Sequence, residues 1–371
     1  MRVLIAGGPS AGHVFPALAL GHTLVAEHGA DVRFLGTATG LESRLVPAAG
    51  FSFTAVEAKP LARRISPASL AAPVIAVRSI AACAPVVRGA DVVVGVGGYV
   101  SVPAVLAAWR AKRPVVLHEQ NAVPGLANRL LARRADVICV SFAESAALLP
   151  RRTPAVVTGN PVRREILAVP AARDALASAA WRELDLDAER RTILVFGGSQ
   201  GALRIDTAVT GAMELLRDRT DLQLIVLTGA AHLADVAAAA RRMPALLVRA
   251  IPFLQRMDLA YAAADMVVAR AGATTIAEVT VCGLASILVP YPHATANHQE
   301  ANARAVERAG ASTIVPDRVL TPDLLARRMT ALLDDEPRLD RMRERASAWS
   351  RPDASASLAE QVVGAVRGAP R

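Results

Sequence analysis

At 371 residues the chain is long enough for about two domains of the common 100–200 residues. With 53% hydrophobic and 20% charged residues it has material for two buried cores, which excludes global disorder. Aromatic residues make up only 4%, a poor supply for stacking single-stranded nucleic acid, and the net charge of +9, carried almost wholly by arginine, favours phosphates, pyrophosphates or an acidic membrane surface.

Strands are expected in the first half at Val3–Ala6, Val32–Leu35, Val92–Val96, Val115–Leu117 and Val137–Val140. Helical patterns at Pro16–His28, Pro103–Ala111 and Gly125–Arg133 lie between them. In the second half Ile193–Phe196, Leu224–Leu227, Leu246–Ala250, Met266–Ala269 and Ser286–Val289 read as strands, with helices at Arg204–Arg217, Thr275–Val281 and Ala301–Ala309. Continuous apolar strands alternating with helices predict parallel sheets covered on both faces. Each half opens with a strand running into paired glycines, Gly7-Gly8 and Gly197-Gly198, and later repeats an aspartate-led strand, glycine loop and helix, at Asp91–Val102 and Asp265–Glu278. The expected fold class is therefore α/β, with two Rossmann-like domains facing across a cleft. Gly159, Asn160 and Pro161 mark the linker, giving domains 1–158 and 159–340; residues 341–371 read as a helix and tail packing back on the first domain.

Two stretches without Asp, Glu, Lys or Arg, Val92 to Trp109 and Val279 to Gln299, are broken by glycines and prolines and read as strand, loop and helix rather than membrane spans. Arg2 and the apolar residues after it imitate a signal peptide, but the run breaks at Gly7-Gly8-Pro9 and carries His13, so no cleaved signal is expected. Cys83, Cys139 and Cys282 form no metal or disulfide pattern.

In open parallel sheets, ligands sit beyond the carboxyl ends of the strands, where glycine loops lead into helix N-termini. Free amides and the helix dipole there suit phosphate oxygens. Four such loops occur, Gly7–His13, Gly97–Ser101, Gly197–Ala202 and Arg270–Thr274, which points to a phosphorylated donor and a second substrate. None is a GxGxxG fingerprint at the first turn, and no glycine-rich loop ends in Lys-Ser/Thr, so hydride transfer and P-loop hydrolysis are disfavoured.

Several motifs then combine in order. Gly12-His13-Val14-Phe15-Pro16-Ala17-Leu18, Gly97-Gly98-Tyr99-Val100-Ser101, His118-Glu119-Gln120-Asn121, Pro124-Gly125-Leu126-Ala127-Asn128, Gly159-Asn160-Pro161-Val162-Arg163, Gly197-Gly198-Ser199-Gln200-Gly201-Ala202 and Arg270-Ala271-Gly272-Ala273 leading to Glu278 span residue 1 to about 310. Together they resemble the MurG family of bacterial peptidoglycan synthesis. The resemblance implies a GT-B type inverting glycosyltransferase that moves N-acetylglucosamine from UDP-GlcNAc to an undecaprenyl-pyrophosphoryl-muramyl-pentapeptide, with the donor mainly on the C-terminal domain and the lipid acceptor on the N-terminal one. Its implied partners are UDP-GlcNAc, the lipid-linked muramyl-pentapeptide and the anionic inner face of the cytoplasmic membrane, on which it would sit peripherally. Nucleic acid is not among them.

The resemblance also implies roles. Glu278 accepts from the ribose hydroxyls, Ala273, Thr274, Thr275, Ile276 and Ala277 present amides to the diphosphate, and Arg163 adds a fixed charge. Ser199 touches the diphosphate region, Ile251 the uracil, Gln299 and Asn121 the sugar hydroxyls, and Ser10, Ala11 and Gly12 close over the donor. Acceptor-side residues are His13, Tyr99, Glu119 and Asn128. The chain departs from the family at Pro9-Ser10-Ala11, where proline removes one amide donor while Ser10 keeps a hydroxyl. It also lacks the acidic residue often found just before Gln299.

Displacing UDP needs a base for the incoming hydroxyl and stabilisation of the departing diphosphate. Asp185-Leu186-Asp187 has the spacing of a metal-holding Asp-x-Asp, but lies in a charged run away from the glycine loops; no cofactor and no metal are expected. His13 and Glu119 are the alternative bases, and His118 reads as packing. A membrane face is expected where Leu61, Ile65, Leu70, Val74, Ile75 and Ile80 mix with Arg63, Arg64 and Arg78, with Trp109, Arg110, Lys112 and Arg113 nearby; the alternative is a helix burying its apolar stripe in the core. Competing readings are a UDP-GlcNAc 2-epimerase, a transferase with a soluble acceptor, or a non-catalytic binding module for a nucleotide-sugar or lipid pyrophosphate.

Overall fold

The structure, a computed structural model, describes residues 1–8, 10–58, 72–150, 153, 155–198 and 201–368, without the side chains of 72–76. Runs of Val, Ile, Leu and Ala with no polar alternation form buried strands, and all of them pair in parallel. The first sheet holds β1 (Arg2–Ala6), β2 (Asp31–Gly36), β3 (Ser52–Ala55), β4 (Val92–Gly95), β5 (Val115–Glu119), β6 (Val137–Val140) and β7 (Ala155–Val157), in the order β3-β2-β1-β4-β5-β6-β7. The second holds β8 (Arg191–Phe196), β9 (Leu222–Leu227), β10 (Leu247–Ile251), β11 (Met266–Ala269), β12 (Ala285–Leu288) and β13 (Ser312–Ile314), in the order β10-β9-β8-β11-β12-β13. Chain direction across the sheet reverses between β1 and β4, and again between β8 and β11. Those switch points are where an open parallel sheet leaves a crevice for a ligand.

The ten expected strands are all present. The three further ones, β3, β7 and β13, are sheet edges of only three or four residues, too short for a continuous apolar run to stand out in the sequence.

The helix expected to start at Pro16 runs from Ala11 to His28, with Pro16 inside it. Its ladder begins when Val14 N–H donates to Ser10 O at 3.1 Å. A proline at the sixth position costs one amide donor, which an eighteen-residue helix packed on the sheet tolerates.

The chain divides into two units, Met1–Arg163 with Arg351–Arg371, and Arg164–Ser350. The expected boundaries at 158 and 340 thus move to 163 and 350, for packing reasons. Residues 158–162 stay with the first unit because Thr158 and Gly159 donate to Val140 O and Val162 is buried. Residues 341–350 stay with the second because the helix Glu336–Trp349 buries Leu339, Met342 and Ala346 and ties Arg343 to Asp265 at 3.0 Å. The C-terminal segment therefore holds two helices rather than one. Only the last, Ala354–Gly368, joins the first unit, where Leu358, Ala359 and Val362 pack in the core with β1, β4 and the Ala11–His28 helix.

The two charge-free stretches resolve into strands, loops and short helices. Among the described residues no helix is long and apolar enough to cross a membrane.

Candidate functional site

In the first unit the loops after β1 and β4 close on each other. At Gly98, with φ of +78°, a Cβ would lie 1.9 Å from the Gly8 carbonyl oxygen, so only glycine allows this approach. His13, in the first turn of the Ala11–His28 helix, lies against the same loop: its Cδ2 and Nε2 come within 3.0 Å of where a Gly97 Cβ would stand. Its Nδ1 is hydrogen-bonded to Ser10 Oγ at 2.7 Å. Arg163 stacks over the Phe15 ring at 4.7 Å, which holds the guanidinium beside this helix start. The loop after β1 thus gathers Ser10, Ala11, Gly12 and His13, and Tyr99 is half-buried on the neighbouring loop.

The end of β5 is a dense polar node. Glu119 is 2% exposed and its carboxylate accepts from four groups: Asn121 N–H at 2.9 Å and Asn121 Nδ2 at 3.4 Å on one oxygen, Gly125 N–H and Asn128 Nδ2 at 2.9 Å each on the other. Burial pushes its pKa up, and these hydrogen bonds pull it back. Asn128 also donates to the His118 carbonyl at 3.0 Å. Three expected site residues, Glu119, Asn121 and Asn128, are therefore joined in one network shaping the turn from 119 to 128.

His118 faces the other way and is fully buried. Its Nε2–H donates to Gly159 O at 3.1 Å, and its Nδ1 accepts from Gln120 Nε2, 3.2 Å away, which itself donates to Val96 O at 2.7 Å. The packing role expected for His118 is the one this geometry describes. Burial pulls its pKa from the ordinary 6.5 to about 4, so the folded protein keeps it neutral while the unfolded chain protonates it at higher pH. This contribution to stability is complete above pH 6.5 and is lost as pH falls toward 4, an expected loss of about 3 kcal/mol. Urea unfolding across that pH range should show the slope, and His118→Gln should flatten it.

In the second unit the loop after β8 and the helix Ala273–Val281 after β11 form the switch point. Glu278 is buried within that helix and accepts from the fully buried Tyr261 hydroxyl at 3.0 Å, so its carboxylate is held from beneath. Ile276 N–H donates to Gly272 O at 2.9 Å, which begins the helical ladder. Of the expected 273–277 amides, that of Ile276 is thus taken by the helical ladder, and its side chain is buried. Gln299, at the start of the helix His298–Arg308, accepts from Tyr291 N–H at 2.9 Å through its side-chain oxygen. Ile251 closes β10, its carbonyl taking Thr228 N–H at 3.0 Å. Arg270 binds Asp317 at 2.5 Å and donates to the carbonyls of Val289 and Pro290, tying together the chain ends after β11, β12 and β13. Ser199, expected at the diphosphate, lies outside the described residues, as does Pro9.

Asp185 and Asp187 sit just before β8, at the amino ends of the strands. Asp187 accepts from Glu189 N–H and pairs with Arg190, while Asp185 pairs with Arg249. Among the described residues no group of three His, Cys, Asp or Glu side chains could hold a metal ion.

Three buried acids escaped the sequence reading: Glu42, Asp206 and Asp258, the last paired with Arg256. Glu42, first residue of the helix Glu42–Ala48 that follows β2, accepts from Thr37 N–H at 2.8 Å and Thr37 Oγ1 at 2.9 Å beneath Gly8 and Gly40. Asp206, in the first turn after the β8 loop, is equally buried. An acid one turn into the helix that follows a glycine loop was the available signal for Asp206. Glu42 is enclosed by its own turn, Gly36, Thr37 and Gly40, and by Gly8, which the fold brings alongside.

The expected membrane face is described only in part. Leu61, Arg63, Arg64, Ile65 and Leu70, and the side chains of Val74 and Ile75, lie outside the described residues. Ile80 packs with buried Cys83 and Val87 on the core, so that stripe of the helix Ala72–Arg88 faces inward. Val77, Trp109, Leu126 and Leu130 are exposed, on three helices, Ala72–Arg88, Ser101–Arg110 and Leu126–Leu131, the middle one packed on the other two. The Arg134 guanidinium covers the Trp109 ring at 3.9 Å.

The family model of the glycosyltransferase family 28 N-terminal domain matches residues 3–140, and that of the C-terminal domain residues 192–358. A protein of Desulforudis audaxviator (strain MP104C) named UDP-N-acetylglucosamine–N-acetylmuramyl-(pentapeptide) pyrophosphoryl-undecaprenol N-acetylglucosamine transferase is 40% identical over 367 residues, 96% of each chain. One of the same name from Acidothermus cellulolyticus (strain ATCC 43068 / DSM 8971 / 11B) is 42% identical, over 98% of this chain and 97% of its own. The crystal structure of Acinetobacter baumannii MurG matches with a TM-score of 0.79 at 29% identity, over 98% of this chain and 99% of that one. The chain belongs to glycosyltransferase family 28, and within it to the family of UDP-N-acetylglucosamine–N-acetylmuramyl-(pentapeptide) pyrophosphoryl-undecaprenol N-acetylglucosamine transferases.

Proposed function

We propose that the chain transfers N-acetylglucosamine from UDP-GlcNAc to the muramyl 4-hydroxyl of undecaprenyl-pyrophosphoryl-N-acetylmuramyl-pentapeptide, with inversion at C1. The observation that carries this reading is the near-full-length identity to relatives bearing that name. The second unit supplies donor contacts: Glu278, steadied by Tyr261, accepts from the ribose hydroxyls, and the amides of Ala273, Thr274 and Thr275 face the diphosphate with the positive end of the helix dipole. Arg163 adds a guanidinium whose direction the Phe15 ring limits.

On the acceptor side the base is His13. In the tautomer whose Nδ1–H donates to Ser10 Oγ, the basic nitrogen is Nε2, on the side of the ring that meets the Gly97 loop. The muramyl hydroxyl loses its proton to Nε2 as its oxygen attacks C1, and the C1–O bond to UDP breaks on the opposite face. Glu119 has both carboxylate oxygens occupied and acts as a positioning residue that sets the turn carrying Asn121 and Asn128.

Departure of UDP in this reading rests on amides, the helix dipole and Arg163, and needs no divalent cation. UDP release should therefore require the lipid-linked muramyl acceptor and persist in EDTA. Release abolished by EDTA and restored by Mg²⁺ or Mn²⁺ would contradict the metal-free reading, and conversion of UDP-GlcNAc alone to an epimer would replace the transferase reading.

The enzyme works as a peripheral protein on the cytoplasmic face of the cell membrane, docking through exposed Val77, Trp109, Leu126 and Leu130 and the arginines around them. Sedimentation with phosphatidylglycerol vesicles should exceed that with neutral vesicles, and Trp109→Glu should weaken both. Equal binding to the two lipid types would remove the electrostatic part.

A further inference from the structure

Gln120, the buried amide just beyond β5, has no part in the transfer as proposed. It is 3% exposed, and its Nε2 lies 2.7 Å from Val96 O and 3.2 Å from His118 Nδ1. The Val96 carbonyl can only accept, so the side-chain NH₂ must stand there. His118 agrees: its Nε2–H is committed to Gly159 O at 3.1 Å, which leaves Nδ1 as an acceptor. The Gln120 amide is thus fixed by two contacts, and its carbonyl oxygen is turned toward the loop after β4. A Cβ on Gly97, where φ is +90°, would lie 3.5 Å from Gln120 Oε1 and 3.0 Å from His13 Nε2. The glycine leaves that space open, and the amide oxygen and the imidazole nitrogen border it together. Burial above all, and a charge on His13 as a lesser cause, hold the His118 pKa down, so the two rings are near enough to sense each other.

We infer that Gln120 is a positioning residue for the base: its Oε1 accepts from His13 Nε2–H once the acceptor's proton has arrived there, and so holds the imidazolium that forms. This rests on the reading of His13 as the base. In the step itself the incoming hydroxyl oxygen keeps the O–H electron pair and bonds to C1, while the proton passes to Nε2. The Nδ1–H stays on Ser10 Oγ, and Gln120 Oε1 receives a hydrogen bond but no proton. Before transfer, that oxygen and the Nε2 lone pair border one space as two acceptors, an unfavourable pairing that protonation relieves. Both effects are stronger in a partly buried site than in water. His118 stays neutral throughout, so its Nδ1 goes on accepting and the Gln120 amide keeps its orientation.

Gln120→Met keeps the bulk and removes the oxygen. It should lower kcat about 10–100-fold, the usual contribution of one hydrogen bond to a charged group, and leave the KM for UDP-GlcNAc little changed. Placed in the His13→Ala protein, the same substitution should cause no further loss, because the imidazolium it serves is gone. Gln120→Glu keeps an oxygen beside His13, with a protonated carboxyl still able to donate to Val96 O, and should recover much of the lost kcat. A loss in Gln120→Met that is equal in both backgrounds, or equal to that of Gln120→Glu, is what mere support of the fold gives, and it overturns the proposal. Unchanged kcat in Gln120→Met overturns it too. Should neither variant fold, the wild-type protein decides. At acidic pH, with both ring nitrogens of His13 protonated, the Nε2 proton should exchange slowly with water and give a resolved signal coupled to ¹⁵N; a signal lost to exchange overturns the proposal. Normal turnover in His13→Ala overturns the reading of His13 as the base, and this proposal with it.

Discussion

Replacing His13 with alanine should lower kcat by roughly 10²–10⁴-fold, the usual contribution of a positioned general base, while the KM for UDP-GlcNAc changes little. The separation follows from where the residue sits. His13 belongs to the first unit, hydrogen-bonded to Ser10 and lying against the Gly97 loop, whereas Glu278 and the 273–275 amides belong to the second. On the proposed reading, loss of the imidazole removes the proton acceptor and leaves the contacts of Glu278 and the 273–275 amides in place, while Ser10 loses its hydrogen-bond partner. His13→Gln should recover little, since an amide fills much of the space without a basic nitrogen. Near-normal turnover in His13→Ala at saturating substrates would remove it from the chemistry.

Glu119→Ala should reduce stability by about 2–4 kcal/mol, because it leaves the Gly125 and Asn121 amides and the Asn128 side chain without their buried acceptor. Chemical unfolding would read this, and kcat should fall with it as the turn from 119 to 128 loosens. Glu119→Gln separates positioning from base catalysis. One of its terminal atoms still accepts, but the other is now NH₂ and meets the Gly125 N–H and Asn128 NH₂ donors head-on. A positioning role predicts intermediate stability with proportionate activity. Full stability with abolished turnover would instead make Glu119 the base.

The central architecture was legible because buried parallel strands leave an unmistakable pattern. Val92–Gly95 and Met266–Ala269 are apolar throughout and lead into glycine loops, and both fall beside a switch point. The edge strands Ala155–Val157 and Ser312–Ile314 left no such trace, because three residues are too few to show a pattern. Pro16 misled for a related reason: proline favours the start of a helix, yet packing against the sheet holds this one inside.

The site was legible as motifs and less so as roles. His118-Glu119-Gln120-Asn121 announced itself, but only the fold shows His118 turned toward Gly159, Gln120 toward Val96 and Glu119 toward its own turn. Glu42 carries no motif, and Asp206 only its place one turn into the helix after a glycine loop; what distinguishes both is burial. In the expected cradle Ala273–Ala277, the helical ladder claims the Ile276 amide, which a motif cannot show.

The decisive measurement follows labelled sugar. UDP-GlcNAc labelled in the hexose is incubated with the protein and the lipid-linked muramyl acceptor, and the lipid fraction is extracted and its new glycosidic linkage assigned by NMR. Label in the lipid fraction, joined through a β linkage to the muramyl 4-oxygen, is the expected result. Label that stays in the nucleotide fraction, or that reaches the lipid with the donor's α configuration, would contradict the account.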